Sequence, residues 1–145
     1  MLQRNNPSWL YSIDQGATTI WERWDSYTHD TGFHKHEWNM NSFNHYSYGA
    51  VVEWFYSGIL GINPDTEKPG FQHIILKPVF GGGLTWAKGG TQTPYGMIDV
   101  EWRQRKDGTY IYKVNIPKGT TASIYFGEET QTLTAGFHSL VVKKE

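Results

Sequence analysis

The sequence predicts a chain that is α+β by content, a helical first part followed by an antiparallel β-sandwich. Two patterns and one feature of composition predict it. Residues 41–61, NSFNHYSYGAVVEWFYSGILG, place apolar side chains three and four apart, the period of a helix with one buried face. Residues 97–105 and 109–117 alternate apolar and polar side chains, the period of a half-buried strand. The 145 residues are also rich in rings and glycine, with Trp 7, Tyr 9, Phe 7 and Gly 16. Rings that stack on the C–H faces of sugars and rings that fill a core both fit that composition.

A short helix is predicted at about 7–14, with Pro7 in its first turn and Asn5 or Asn6 as cap. Residues 18–27, TTIWERWDSY, follow as an extended run into a bend, with Glu22 between Trp21 and Trp24. SYTHDTGFHKHEWNMN (26–41) shows no period and reads as a long ordered loop, a class that tends to be functional or mobile. The helix over 41–61 would start at Asn41 or Ser42 as cap. Its stripe would be Phe43, Tyr46, Ala50, Trp54, Ser57 and Leu60, and it would stop at Gly58 and Gly61 before Pro64.

Pro and charged residues cluster in NPDTEKPG, and a boundary between two domains is expected there. QHIILKPV (72–79) is a strand ended by Pro78, and GGGLTWAKGGTQTPYG (81–96) a strand segment between Gly-rich turns. MIDVEWRQR (97–105) turns Ile98, Val100 and Trp102 to one face, and Asp107-Gly108 is a hairpin signal. TYIYKVNIP (109–117) turns Tyr110, Tyr112, Val114 and Ile116 inward, and TASIYFG (121–127) and FHSLVVKK (137–144) complete the set. Short strands at this spacing indicate an antiparallel sandwich.

Lys+Arg 13 against Asp+Glu 14 leaves no field to draw in nucleic acid or an anionic membrane. The absence of Cys excludes disulfides, thiol catalysis and thiolate metal sites. No apolar run approaches the roughly 18–20 residues of a membrane span, and MLQRNNPSWLYS lacks the apolar block of a signal peptide.

Glu22 reads in two ways from its neighbours: a buried structural acid paired with Arg23 or another base, or a carboxylate at the floor of a sugar cleft. Trp21 and Trp24 are core rings or stacking surfaces. His29, Asp30, His34, His36 and Glu37 are the right ligand types for zinc, but HKHE in an irregular loop matches no strong signature. No metal and no other cofactor is expected.

TTIWERWD (18–25) and MNSFNHYSYGAVVEWFYSGILGI (40–62), in this order, resemble the end of the catalytic domain of bacterial α-L-rhamnosidases, glycoside hydrolase family 78. PGFQHIILKPVFGGGLTWAKG (69–89) is similar to the start of the small β-sandwich that follows it. The resemblance implies that residues 1–66 are the last helices and loop of a six-hairpin (α/α) barrel and residues 67–145 the C-terminal sandwich. It implies inverting release of terminal α-L-rhamnose from a rhamnose-containing glycoside. Glu22, the carboxylate of TT-x-W-E, would be the general base, and His45, from the N-H-Y segment, would contact the sugar. Trp21 and Trp24, beside Glu22 in the chain, are expected as further substrate-binding rings.

The family's general acid lies in an upstream segment of Asp, Arg and Glu residues to which nothing here corresponds. The chain would then be the C-terminal portion of a larger enzyme, inactive alone, and Tyr46, Trp54 and Phe55 would lie bare, favouring a homodimer or helices that fold back on the sandwich. The rival reading is a non-catalytic carbohydrate-binding sandwich with a helical extension. A third is a barrel glycosidase with another sugar specificity.

Overall fold

A computed structural model describes residues 8–33 and 41–143. The chain forms two compact units, Met1–Val52 and Glu53–Glu145, each described by itself below. By content it is mostly β with few helices.

In the first unit, helix α1 (Trp9–Asp14) is capped by Ser8, whose hydroxyl accepts from the Tyr11 N–H at 3.4 Å. This cap lies after the expected one; Asn5, Asn6 and Pro7 fall outside the described residues. The loop at 26–41 is not free of regular structure. Strands β1 (Tyr27–Thr28) and β2 (Gly32–Phe33) form a small antiparallel ribbon, turned at Gly32 with φ 71°. His34, His36 and Glu37 of the five zinc-type residues lie outside the described set.

The second helix begins at Ser47, not at 41. Its expected caps are used elsewhere. The Asn41 side chain exchanges two hydrogen bonds with Ser26, at 2.6 and 3.1 Å, and the Ser42 N–H is held by Glu22. The winding changes twice, from tight over Ser47–Ala50 to α-helical over Val51–Trp54 to wide over Phe55–Leu60. The wide turns shift the phase of the apolar stripe. Trp54 and Tyr46 are exposed, whereas Phe55, Ile59 and Leu60 pack into the core of the second unit. Gly61 ends the helix in the left-handed region, φ 79°, as its position predicts.

The second unit is one six-stranded sheet, ordered β3 (Ile62–Pro64), β4 (His73–Leu76), β7 (Tyr110–Phe126), β6 (Gly96–Gln104), β5 (Trp86–Thr93), with β8 (Glu129–Val142) also on β7. The segments read as separate strands at 109–117 and 121–127 are one strand. Its register with β8 shifts between Ile116 and Thr121, where Gly119 takes φ 83°. Before the shift β7 pairs with β6; after it, with β4. A strand that changes partner halfway curls the sheet and lets its inner faces share one core. The sheet is not purely antiparallel, because β4 and β7 run parallel across the intervening β5–β6 hairpin. Pro64 sits in edge strand β3, where a missing N–H is tolerated.

The predicted inward sets are the observed core. Ile98, Val100, Trp102, Tyr110, Tyr112, Val114 and Ile116 are all buried, with Ile74, Leu76 and Ile124 facing them. Phe80 stacks on Tyr110 at 4.4 Å and meets Trp102 edge-on at 5.3 Å.

A helix end leaves carbonyls without partners, and here the sheet unit supplies them. The Asn63 amide donates to Ser57 and Gly61, at 3.0 and 3.1 Å. Backbone N–H groups of Val79 and Lys77 donate to Gly58 and Gly61, at 2.9 and 2.8 Å. The Trp102 indole donates to Ile59 at 2.8 Å and the Tyr112 hydroxyl to Leu60 at 2.9 Å.

Candidate functional site

The site is built where two extended segments of the first unit lie side by side. The Glu22 N–H donates to the Ser42 carbonyl and the His45 N–H to the Ile20 carbonyl, each at 2.8 Å. The Thr19 hydroxyl adds a bond to the Phe43 carbonyl. β-Branched residues at 18–20 favour this extended backbone. The pairing brings Glu22 and His45 onto neighbouring strands of backbone, although they lie 23 residues apart in the chain.

The Glu22 carboxylate is fixed through one oxygen. Oε2 accepts the Ser42 N–H at 2.6 Å, a short charge-assisted bond. Among the described residues Oε1 has no hydrogen-bond partner, and Glu22 makes no ion pair with Arg23. The side chain is half-buried.

After Glu22 the chain turns back through residues 23–26. Fully buried Ser26 closes the turn, its hydroxyl accepting from the Arg23 N–H at 3.2 Å and donating to Asn41 Oδ1 at 2.6 Å. The hydroxyl of Ser12 reaches the Trp24 carbonyl at 3.4 Å, tying the turn to α1.

Rings pin both tryptophans. Trp21, 7% exposed, meets Phe43 and Tyr27 edge-on, at 5.3 and 6.5 Å. Trp24 stacks on Tyr48 at 3.8 Å and takes the edge of Trp9 at 5.1 Å. Such pairs contribute about 0.5–1.5 kcal/mol each beyond area burial. Trp9, Trp21, Trp24 and Tyr48, with Ile13 and residues 17–20, line a cleft of about 290 Å³. His45 borders a different hollow with Ile20, Asn44, Tyr46, Gly49 and Ala50. Its Nδ1 accepts the Ser47 N–H at 3.3 Å, which leaves Nε2 as the outer nitrogen.

The sequence pointed to Glu22, His45, Trp21 and Trp24, and the fold sets all four within one small unit. It gave no sign of Ser42 as the group that holds the carboxylate, because the donor is a backbone N–H. Ser26 and Asn41, small polar residues flanking an aromatic-rich loop, were the one legible trace of the turn. Among the described residues no cluster of His, Asp and Glu could hold a metal ion.

Among the described residues the lining of the aromatic cleft includes neither Glu22 nor His45, and the hollow at His45 does not include Glu22. Residues 1–59 match the family described as the bacterial alpha-L-rhamnosidase 6 hairpin glycosidase domain, and residues 61–140 the bacterial alpha-L-rhamnosidase C-terminal domain. The chain belongs to the bacterial α-L-rhamnosidase family. It is 39% identical over 143 residues to an α-L-rhamnosidase of Streptomyces avermitilis, a match covering 99% of this chain and 13% of that protein. It therefore spans about an eighth of that relative's length.

Solved structures agree. The native α-L-rhamnosidase of Aspergillus terreus aligns with TM-score 0.84 and 34% identity over 98% of this chain and 16% of its own. The Streptomyces avermitilis enzyme complexed with L-rhamnose aligns with TM-score 0.81 and 36% identity, over 97% and 15%.

Proposed function

We propose that this chain carries the general-base side of an inverting glycoside hydrolase that releases terminal α-L-rhamnose, and that the general acid belongs to a longer polypeptide. The observation that carries this reading is the asymmetric hold on Glu22. One oxygen is fixed by Ser42 and the other is unpartnered among the described residues. A general base in an inverting enzyme needs that arrangement, a fixed carboxylate with an oxygen free to take a proton from water. The opposing acid stands roughly 6.5–9.5 Å away, with the water between.

His45 donates from Nε2 to a sugar hydroxyl, its other nitrogen being engaged by the Ser47 N–H. Trp24, half-buried, offers a ring surface at the aromatic cleft, and Trp21 holds the segment beneath it. The relatives named above are rhamnosidases, and one solved relative is complexed with L-rhamnose. Residues 1–66 then serve as the closing part of the barrel and residues 67–145 as its C-terminal domain.

The test is a chimera in which this chain replaces the matching residues of the Streptomyces avermitilis enzyme. Hydrolysis of 4-nitrophenyl α-L-rhamnoside is expected from the chimera, with release of the β-anomer. Loss of about 10²–10⁴-fold is expected on Glu22→Gln. A chimera that is active and indifferent to Glu22→Gln would overturn the assignment. The chain alone is expected to show no turnover above its own Glu22→Gln control.

A further inference from the structure

The outer face of strands β5, β6, β7 and β8 carries side chains that the core does not use. Their rows follow from the register. Trp86, Arg103, Ile111 and Val141 form one row, and Lys88, Glu101, Lys113 and Ser139 the next. Gly90, Asp99, Asn115 and Phe137 form the third. The inward partners Ile98, Val100, Trp102, Tyr112 and Val114 are buried, so these rows face solvent.

Between the second and third rows lies a shallow trough of about 160 Å³, the size of a single sugar ring. Phe137, 65% exposed, walls one end. Gly90 has no side chain, and the Asp99 carboxylate leans over it, 2.8 Å from where a Cβ would stand. At the floor run the backbones at Val100 and Val114.

The chemistry of this trough selects a ligand class. Lys88 and Lys113 are cations, Asp99 and Glu101 are carboxylates, and Asn115 is both donor and acceptor. The charges cancel, so neither an anion nor a cation is favoured. Adjacent donors and acceptors suit vicinal hydroxyls, each of which gives and takes a hydrogen bond. The Arg103 hydrogen bond holds the Glu101 carboxyl below the usual range, which keeps it an acceptor through mildly acid conditions. The exposed Phe137 ring gives the C–H face of a sugar a stacking surface.

We propose that this trough is a saccharide-binding site for neutral sugars, formed by Lys88, Asp99, Glu101, Lys113, Asn115 and Phe137 and separate from Glu22. Its place on the sheet unit lets it hold a glycan without taking part in bond cleavage. The proposal stands apart from the assignment of Glu22; only the choice of rhamnose as a probe rests on that reading.

The test is an amide chemical-shift titration of the intact chain with L-rhamnose and, separately, with methyl α-D-glucoside. At least one sugar is expected to give saturable shifts at residues 88, 99, 101, 113, 115 and 137, with Kd of about 1–10 mM. Phe137→Ala and Asn115→Ala should each weaken binding about tenfold while leaving thermal unfolding in place. Absence of saturable shifts with both sugars would overturn the proposal. So would shifts confined to residues near Glu22 and His45, an outcome that leaves the reading of Glu22 standing. Shifts at the trough that follow protein concentration and ignore sugar would mark a self-association face and also overturn it.

Discussion

The phenolic hydroxyl of Tyr112, in the middle of β7, donates at 2.9 Å to the carbonyl of Leu60, the last residue of the second helix. With Trp102 on Ile59, Asn63 on Ser57 and backbone donors on Gly58 and Gly61, it satisfies the helix end from within the sheet unit. Both ends of the bond are buried, so water cannot replace a lost donor. Tyr112→Phe keeps the ring and removes only the O–H. It is expected to lower stability by about 1–3 kcal/mol, the cost of a buried acceptor left unpaired. Denaturant unfolding with an unchanged m-value is the measurement; a loss below the experimental error would show that Leu60 has another partner.

The same residue gives a pH dependence. Burial pushes the Tyr112 hydroxyl well above its ordinary range. In the unfolded chain a tyrosine releases its proton near pH ~10. The folded state thus keeps a proton that the unfolded state gives up. This contribution to stability is complete below pH ~10 and declines as pH rises beyond it, by at most about 1.4 kcal/mol per pH unit for the one proton. The stability gap between the native sequence and Tyr112→Phe is expected to narrow from pH 9 to 11. A gap constant across that range would contradict the argument.

Gly61 and Gly108 both adopt positive φ, 79° and 82°, but their surroundings differ. A Cβ on Gly61 would stand 2.3 Å from the Pro78 nitrogen and 2.7 Å from the Lys77 carbonyl carbon; on Gly108 it would meet open space. Gly108→Ala should cost only the left-handed penalty, about 1–2 kcal/mol. Gly61→Ala adds a backbone clash that no rotamer can relieve, and should cost at least ~2 kcal/mol more. Thermal unfolding of the two variants isolates the clash, and equal losses would show that the 77–78 segment yields freely.

The inward sets of β6 and β7 were legible because a sheet with one buried face imposes a strict period of two, and Ile98 to Trp102 and Tyr110 to Ile116 obey it. The second helix was legible as an element and misplaced in detail. A single 3.6-residue period assumes one winding, and the wide turns over Phe55–Leu60 hand the buried positions to Phe55 and Ile59. Strand β3 went unseen because a three-residue edge strand containing Pro64 carries no alternation. The parallel pairing of β4 with β7 joins residues 48 apart, His73 with Thr121, and no local pattern encodes it. In the first unit, Glu22 and His45 were singled out only by a motif, whereas the closed Ser26–Asn41 pair and the Ser42 N–H are consequences of the fold.

The role of Ser42 can be isolated from its side chain. Its backbone N–H holds Glu22 Oε2 at 2.6 Å, and its hydroxyl accepts the nearby Asn44 N–H, at 3.2 Å. Ser42→Ala keeps the N–H, while Ser42→Pro removes it. Both can be placed in the Streptomyces chimera and assayed on 4-nitrophenyl α-L-rhamnoside. If the carboxylate acts as base, its orientation matters in the transition state more than in binding, so the loss should fall on kcat. Ser42→Ala should stay within about twofold of the parent chimera, and Ser42→Pro should lose at least ~10-fold in kcat with KM little changed. If His45 contacts the sugar as proposed, His45→Ala should by contrast act on KM as well. Equal kcat in the Ala and Pro variants, with both proteins folded, would mean that the Ser42 N–H does not position the carboxylate during turnover.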